Sequence, residues 1–201
     1  MMEIQPVTLT GRVVRLEPLS EAHVSDLTAV GQDERIWQHM IYGPLTTEAE
    51  MRNWVEDMVT RQSRGADLPF AVIYLRNGRA IGSTRYLDIR RADRGLEIGG
   101  TWYGIDYQGT AVNPECKYLL MRHAFETLEC LRVQFKTDIR NERSQKAIER
   151  LGAFKEGVLR DHMITPEGRV RSSVYYSVVA AEWPAVKSQL EARLRQLVGS
   201  E

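Results

Sequence analysis

The chain has 201 residues, of which 43% are hydrophobic and 27% are charged. This is enough apolar material for one sizeable core, and it excludes a disordered tail or a small disulfide-stapled scaffold. Lysine plus arginine and aspartate plus glutamate both number 27, so no net charge gathers nucleic acid or anionic lipid, and we expect neither as a partner.

Location and redox state follow from simple patterns. No stretch of 18 or more uncharged apolar residues is present, and the segment from Met1 to Arg12 lacks a basic region followed by an apolar run. We therefore expect a cytoplasmic protein.

Cys116 and Cys130 lie on or just after one predicted helix, roughly 21 Å apart at 1.5 Å per residue. That is too far for a disulfide, so we expect two buried thiols.

The first part of the chain is predicted to form a strand and two helices. Alternation from Val13 to Pro18 predicts a short strand, and Ser20 starts a helix. Thr47 and Glu50 have the spacing of a capping box. An apolar stripe at helical spacing continues this second helix through Met51, Trp54, Val55 and Met58.

The middle of the chain is predicted to be a run of strands that leads into a helix. Phe70–Leu75 and Ala80–Ile89 are strands joined by a tight turn, for which Asn77-Gly78 supplies positive backbone angles, and Leu96–Tyr103 is a further strand. A loop with Gly109 follows. Asn113 is predicted to cap the next helix, in which Pro114 takes the first position and which reaches about Leu128.

The last part of the chain alternates strands with helices. A strand with Val133, Phe135, Thr137 and Ile139 on one face precedes a helix from about Arg143 to Leu151, which Gly152 ends. Strands Phe154–Ile164 and Val170–Val178 flank the turn 165–168. A terminal helix over about 182–198 has an apolar face that covers either this chain's own sheet or that of a partner, the former being more common.

This order of elements predicts an α/β layered (α+β) domain with a mixed sheet. We expect one domain over residues 1–201, with a core at about 12–178. The loop with Gly109 places unpaired backbone N–H groups at a helix start, which suits an anion such as phosphate. A plain strand-to-helix connection is the alternative for this loop. Asn141 and Ser144 can likewise face one cleft or act only as helix caps.

Together these segments resemble the GNAT superfamily of acetyl-CoA-dependent N-acetyltransferases, specifically its RimJ/RimL-like (ribosomal-protein N-terminal acetyltransferase) branch. The resemblance spans roughly Arg12 to Val178. It rests on the element order and on four motifs: Glu97-Ile98-Gly99, Trp102-Tyr103, the Gln108 loop, and Asn141-x-x-Ser144 running into Leu151-Gly152-Ala153-Phe154. It implies a largely antiparallel seven-stranded sheet whose fourth and fifth strands splay apart around the pantetheine arm.

The resemblance also implies which residues bind acetyl-CoA. They are Trp102, Tyr103, Gln108, Gly109, Thr110, Ala111, Val112, Asn113, Asn141 and Ser144. In the family loop the position of Ala111 is usually glycine and the position of Asn113 is usually glycine or alanine. This departure leaves the affinity for the cofactor open. We expect a working site, because backbone N–H groups hold the anion whatever the side chain.

Catalytic roles are implied in the same way. Ser144 matches the family serine that returns a proton to the coenzyme sulfur, and a backbone N–H near Trp102 or Tyr103 receives the developing oxyanion. Glu97 is our candidate general base; it can also simply pair with an arginine, and three other residues compete for the role: Asp138, Asp161 and His162. Trp37 and Tyr42 are candidate acceptor contacts, with aromatic core packing as the alternative.

We therefore predict an N-acetyltransferase that transfers the acetyl group of acetyl-CoA directly to a primary amine, either a protein N-terminus or a small molecule. The alternatives are a coenzyme A-binding module or sensor without transferase activity and a transferase that uses another acyl-CoA. The four histidines lack metal-ligand spacing to cysteines or carboxylates, so we expect no metal. A homodimer is an expectation from the family alone.

Overall fold

The computed structural model describes residues 2–198, excluding the side chain of residue 198. Its strands are β1 (Leu9–Thr10), β2 (Val14–Pro18), β3 (Leu68–Tyr74), β4 (Arg79–Arg90), β5 (Gly95–Tyr103), β6 (Arg132–Asp138), β7 (Phe154–Ile164) and β8 (Val170–Val179). Its α-helices are α1 (Val24–Val30), α2 (Glu48–Ser63), α3 (Val112–Arg122), α4 (Glu142–Glu149) and α5 (Trp183–Val198). The predicted alternation of strands and helices is confirmed.

The strands form one mixed sheet in the order β1-β2-β3-β4-β5-β6-β8-β7. Every neighbouring pair is antiparallel except β5 and β6, which are parallel. The predicted fold class is confirmed, with one strand more than expected. The addition is β1, whose two residues pair with Arg15 and Leu16 at the sheet edge. A two-residue strand is too short to leave a period-2 pattern in the sequence.

The parallel pairing of β5 and β6 is short. It joins Gly95 to Arg132, Leu96 to Val133 and Glu97 to Gln134, and then it ends. β5 continues for six residues to Tyr103 and β6 for four to Asp138 without pairing to each other. The two strands therefore open into a cleft in the middle of the sheet, as the resemblance implied.

Two apolar cores lie on the two faces of the sheet. The larger contains residues of α3 and α5, including Trp183, Val186 and Leu190. The apolar face of the terminal helix is therefore buried within its own chain, as in the more common of the two alternatives, although α5 packs mainly against α3 and not directly on the sheet. The smaller core is formed with α1 and α2. The predicted capping box of α2 is present, since the Glu50 N–H donates to Thr47 Oγ1 and the Glu50 carboxylate accepts the Thr47 N–H.

Both cysteines are free and buried, as predicted. Near them, Glu115 of α3 is 4% exposed and accepts three backbone N–H groups, from Arg12 (2.9 Å), Val13 (2.7 Å) and Val14 (2.8 Å). One buried carboxylate therefore satisfies three donors of the edge segment and fixes that segment to α3.

Several predicted boundaries are wrong by a few residues. Helix α3 begins at Val112 with Ala111 as its N-cap, so Asn113 is not the cap and Pro114 is the third helical residue. Proline is tolerated there because first-turn N–H groups have no intrahelical partner. In the turn after β3 only Gly78 has a positive φ, +70°, and Asn77 does not. Ile139 is 44% exposed, because it lies just beyond the end of β6.

Candidate active site

The split between β5 and β6 is a cleft of about 660 Å³. It is lined by the connection between α1 and α2, by β4, β5 and β6, by the loop that precedes α3, by α4 and by single residues of β7, β8 and α5. Because β5 and β6 stop pairing after Glu97, the backbone of β5 from Gly99 to Tyr103 has no strand partner on the cleft side. Its free polar groups can pair with an extended ligand.

One end of the cleft has backbone N–H groups without hydrogen-bond partners. The loop from Gln108 to Ala111 leads into α3, and Gly109 has a φ of +82°. Among the described residues, nothing accepts a hydrogen bond from the backbone N–H groups of Gly109, Thr110, Ala111 or Asn113, while the Val112 N–H reaches Thr110 Oγ1 at 3.2 Å. Unpaired N–H groups at a helix start are the donors that phosphate groups use.

The two departures from the family loop cause no backbone strain. Ala111 has a φ of −67° in the right-handed helical region, and Asn113 lies inside α3. Neither residue needs the positive φ that glycine permits. The Asn113 side chain is itself engaged, because Oδ1 accepts the Tyr103 hydroxyl at 3.2 Å. Gly109, the one loop residue with a positive φ, is already glycine.

The same end of the cleft is strongly basic although the chain has no net charge. The lining there includes Arg140, Arg143, Arg150 and Arg193. Arg143 donates to Gln108 Oε1 at 2.5 Å, and Gln108 Nε2 donates to the Tyr103 carbonyl at 2.9 Å, so the loop is held in place by its own side chain. Guanidinium groups around free backbone donors fit a ligand with several phosphates.

Asn141 and Ser144 meet at the start of α4. Asn141 Oδ1 accepts the Ser144 N–H at 3.0 Å, so the helix-cap interpretation is confirmed for Asn141. Both residues line the cleft, which means that the cap and the cleft-facing position are not exclusive. Within the described residues the Ser144 hydroxyl makes no hydrogen bond, so Oγ is free to meet a ligand.

Glu97 lies where β5 and β6 separate. It is 3% exposed, accepts a hydrogen bond from Gln134 Nε2 at 3.2 Å and lies 3.5 Å from Lys136 Nζ. Burial raises the pKa of Glu97, while Lys136 and Gln134 oppose the rise. The carboxylate is therefore paired with a lysine rather than with an arginine, and it is a buried titratable group that lines the cleft.

The three competing bases have other surroundings. Asp138 is ion-paired with Arg169 at 2.6 Å. Burial acts to raise its pKa, but the Arg140 N–H and Arg169 together lower it. His162 contacts Ser173 Oγ at 3.1 Å, and burial lowers its pKa. Asp161 is exposed and lines a separate surface cavity on β7. Of the four candidates, Glu97 alone is among the lining residues of the cleft.

The two candidate acceptor contacts are neighbours in the smaller core, with ring centroids 6.2 Å apart, and neither is among the described residues that line the cleft. Trp37 is 4% exposed, donates from Nε1 to the Gly31 carbonyl at 2.9 Å, and its ring is tilted against that of Trp102 with centroids 4.8 Å apart. Tyr42 is half-buried, and its hydroxyl donates to the Gly100 carbonyl at 3.5 Å, directly behind the cleft wall.

Of the remaining predicted residues, some line the cleft and others are buried in the core. Trp102 and Tyr103 line the cleft at the end of β5, together with Gln108, Gly109, Thr110 and Asn113. Ala111 and Val112 are 1% exposed and pack in the larger core, so only their backbone can serve a ligand.

Three buried cations in the cleft wall were missed in the sequence: Arg85, Lys117 and Arg171. Lys117 donates to Thr101 Oγ1 at 2.5 Å and to Thr84 Oγ1 at 3.4 Å. Arg85 lies 3.5 Å from Asp67, and its Nε has no partner among the described residues. A lysine directly before the apolar run from Tyr118 to Met121 is the one sequence signal that could have revealed Lys117.

Comparison with known proteins identifies the family. Residues 14–153 match the acetyltransferase (GNAT) domain. The chain belongs to the GNAT acetyltransferase family. It is an acyltransferase with the fold described above.

Individual relatives agree with this assignment. The chain is 25% identical over 174 residues to the "Putative ribosomal N-acetyltransferase YdaF" of Bacillus subtilis (strain 168), covering 86% of this chain and 92% of that one, which supports the RimJ/RimL-like branch. A "putative acetyltransferase" from T. thermophilus is 39% identical, with a TM-score of 0.87 over 96% of this chain and 100% of that one. Mycobacterium smegmatis RimJ in complex with CoA-disulfide has a TM-score of 0.80 over 94% and 95% of the two chains, and at 18% identity it speaks for the fold alone.

The described part of the chain contains neither a cluster of metal-ligating side chains nor a membrane-spanning helix. Among residues 2–198, no three His, Cys, Asp or Glu side chains are placed to share a metal ion. In that same part of the chain, every helix is too short or too polar to cross a bilayer.

The buried Lys117 predicts a pH-dependent stability. Burial lowers its pKa from the ordinary 10.5 to about 8 in the folded chain. Between these values the unfolded chain binds a proton that the folded chain does not, so the free energy of unfolding rises with pH over this interval, by about 3 kcal/mol from this group. Lys117→Met should lack that rise in urea titrations at the two ends of the interval.

Lys155→Met is the matched control, because Lys155 is exposed on β7. It should keep the wild-type pH dependence. Equal pH dependence in the wild type and in Lys117→Met would contradict the assignment of a shifted pKa to Lys117.

Proposed function

We propose that this chain transfers the acetyl group of acetyl-CoA directly to a primary amine, with a protein N-terminus as the first acceptor class to test and a small amine as the second. The observation that carries the proposal is the split between β5 and β6, which has free backbone donors at the loop before α3 and the buried Glu97 at the other end. The description of YdaF as a ribosomal N-acetyltransferase supports a protein acceptor. A ribosomal acceptor fits a cytoplasmic location.

The residues present fit coenzyme A. The free N–H groups of Gly109, Thr110 and Ala111 suit the pyrophosphate, and Arg143 beside Gln108 adds positive charge. The unpaired edge of β5 at Trp102 and Tyr103 suits the amides of the pantetheine arm. The RimJ structure with CoA-disulfide supports coenzyme A as the ligand of this fold. When bound, acetyl-CoA supplies an activated acyl group on a thiol that leaves readily.

The chain's own residues then supply the proton transfers. Glu97 accepts a proton from the acceptor ammonium, directly or through water, so that a neutral amine can attack; its raised pKa suits this role near neutral pH. The Ser144 hydroxyl, which has no partner among the described residues, would donate its proton to the departing sulfur and regain one from the attacking nitrogen, which loses its second proton as the amide forms. A backbone N–H of β5 near Trp102 or Tyr103 polarises the thioester carbonyl. No metal is required for this chemistry.

Coenzyme binding is the first test. We expect acetyl-CoA to bind in calorimetry with a dissociation constant on the order of micromolar, about 8 kcal/mol, and Gly109→Trp to abolish the heat of binding. A tryptophan at this φ strains the loop and occupies the space in front of the free N–H groups. Thiol release in the presence of amines then separates a transferase from a coenzyme-binding module.

An exposed glycine elsewhere provides the control. Gly168→Trp changes the β7–β8 turn, where φ is also positive, +79°, and should leave acetyl-CoA binding intact. Wild-type binding by Gly109→Trp would show that the coenzyme does not use this loop. Stronger thiol release with a longer acyl-CoA would favour the alternative of another acyl donor.

The role of Ser144 has a kinetic signature. Ser144→Ala should lower kcat by about a hundredfold, since it removes a general acid, with little change in acetyl-CoA affinity. Steady-state rates and calorimetry on the same preparation measure both quantities. Ser63→Ala, at the exposed end of α2, should match the wild type. An unaltered kcat in Ser144→Ala would remove the proposed role.

The role of Glu97 appears in the pH profile. Because the base must be deprotonated, kcat/KM should fall as pH falls through the raised pKa of Glu97. Glu97→Gln should lower kcat/KM at neutral pH by about a hundredfold and remove this acidic limb. Glu156→Gln is the control, since Glu156 also accepts hydrogen bonds on the sheet but lies on β7 away from the cleft. An unchanged acidic limb in Glu97→Gln would assign the base to another group.

A further inference from the structure

The face of the sheet around β6 and β8 carries polar side chains where the opposite face is apolar. On β6, Gln134, Lys136 and Asp138 alternate with core residues, and their partners on β8 are Ser177, Tyr175 and Ser173. Arg171 continues the β8 row toward the open end of β6. Glu97 lies on this same side, since it pairs in register with Gln134. This polar face borders the cleft on the side of the proposed base.

The charges on this face do not balance. Glu97 lies 3.5 Å from Lys136, and Asp138 lies 2.6 Å from Arg169. Arg171 is the third cation, and it has no carboxylate within ion-pairing distance among the described residues. The charges of Asp138, Arg169 and Glu97 nevertheless act on it, so it belongs to the same cluster.

Arg171 is buried and mostly unpaired. Its exposure is 5%, and its one hydrogen bond within the described chain runs from Nε to Ser173 Oγ at 3.2 Å. Both Nη groups are without a partner in that part of the structure, and the residue lines the cleft. A buried guanidinium without a counter-charge is costly, and it gains most from a carboxylate that accepts two parallel N–H bonds.

His39 offers a second free group nearby. It lies in the connection between α1 and α2, lines the cleft, and its buried Nδ1 has no hydrogen-bond partner among the described residues. The charges of Asp138, Arg169 and Arg171 act on its imidazole, which places it in the same surroundings as Arg171. Burial lowers the pKa of His39, so a neutral ring faces the cleft at neutral pH.

We propose that Arg171 binds a carboxylate of the acceptor, so that the preferred acceptor is a primary amine that carries a carboxylate a few bonds away. The acceptor ammonium then faces Glu97, which also contacts Lys136, and the acceptor carboxylate faces Arg171, which has no other counter-charge among the described residues. Two sources share this chemistry: a peptide with an acidic residue at its N-terminus and a free amino acid. This inference rests on the proposed transfer to an amine.

The wild-type enzyme tests the inference directly. The acceptors are two C-terminally amidated peptides, Asp-Ala-Ala-Phe and Asn-Ala-Ala-Phe, which differ only in the carboxylate, together with phenylalanine and phenylalanine amide. We expect kcat/KM, followed by thiol release, to be about ten- to a hundredfold higher for the acid in at least one pair, the size expected for hydrogen bonds to a charged group. The pair that responds identifies the source of the carboxylate.

Arg171→Gln should remove this preference, so that the ratio of kcat/KM between acid and amide falls to about one. Arg160→Gln removes the same charge from an exposed position on β7 and should keep the ratio, which separates direct contact from the general field. Acetyl-CoA calorimetry and thermal unfolding establish that Arg171→Gln is folded. If it is not, the wild-type acceptor pairs still test whether the enzyme prefers an acceptor with a carboxylate, and equal rates for acid and amide would overturn the inference.

The outcomes separate the two proposals. Transfer to acid and amide at equal rates would overturn the role of Arg171 and leave the transferase function in place. A preference for the amides would overturn it as well. If none of the amines causes release of the coenzyme A thiol, both proposals are overturned. If Arg160→Gln lowers the acid-to-amide ratio of kcat/KM as much as Arg171→Gln does, the preference comes from the long-range electrostatic field and not from a carboxylate site at Arg171.

Discussion

The separation of β5 from β6 is the constraint on which the rest of the site depends. Parallel strands satisfy each other's backbone groups only while they remain about 5 Å apart, and here that pairing lasts for three residue pairs. Beyond it the sheet contains a row of polar backbone groups that the protein itself leaves unpaired in its middle. Such groups are costly when dry, and an extended ligand that pairs with them would remove that cost.

Positively charged side chains with incomplete partners also gather at the cleft. The sequence as a whole is neutral, yet arginines gather around the helix starts at one end of the cleft, and Lys117, Arg85 and Arg171 are buried in its walls. Buried cations with neutral or incomplete partners lower the stability of the folded chain. Because these cations border the cleft, an anionic ligand bound there would pair with them and offset that loss of stability.

The sequence was informative wherever local pattern decides structure. The capping box of α2 and the order of strands and helices along the chain were both predictable, because each depends on residues close together in the sequence. Helix α3 was placed two residues late, since Asn113 and Pro114 favour a start that tertiary packing of Ala111 and Val112 overrides. The hydrogen bonding of the loop N–H groups and the conformation of Ala111 required coordinates.

Long-range partners were beyond the sequence. Nothing near Glu97 in the chain indicates that Lys136 is its counter-ion, and nothing near Arg171 indicates that it lacks one among the described residues. Both facts arise from strand register between segments far apart in sequence. The role of Ser144 therefore stays a prediction from the family resemblance, and that of Glu97 stays a prediction from its position in the strand; the structure adds their positions, burial and partners.

The buried Glu115 has a consequence for handling the protein. Glu115 lies in the first turn of α3, three residues after Val112. Its carboxylate accepts the backbone N–H groups of Arg12, Val13 and Val14. The N-terminal segment and the phosphate end of the cleft thus share one anchor. A fusion partner or affinity tag that pulls on the first strand acts on the same helix that presents the free N–H groups.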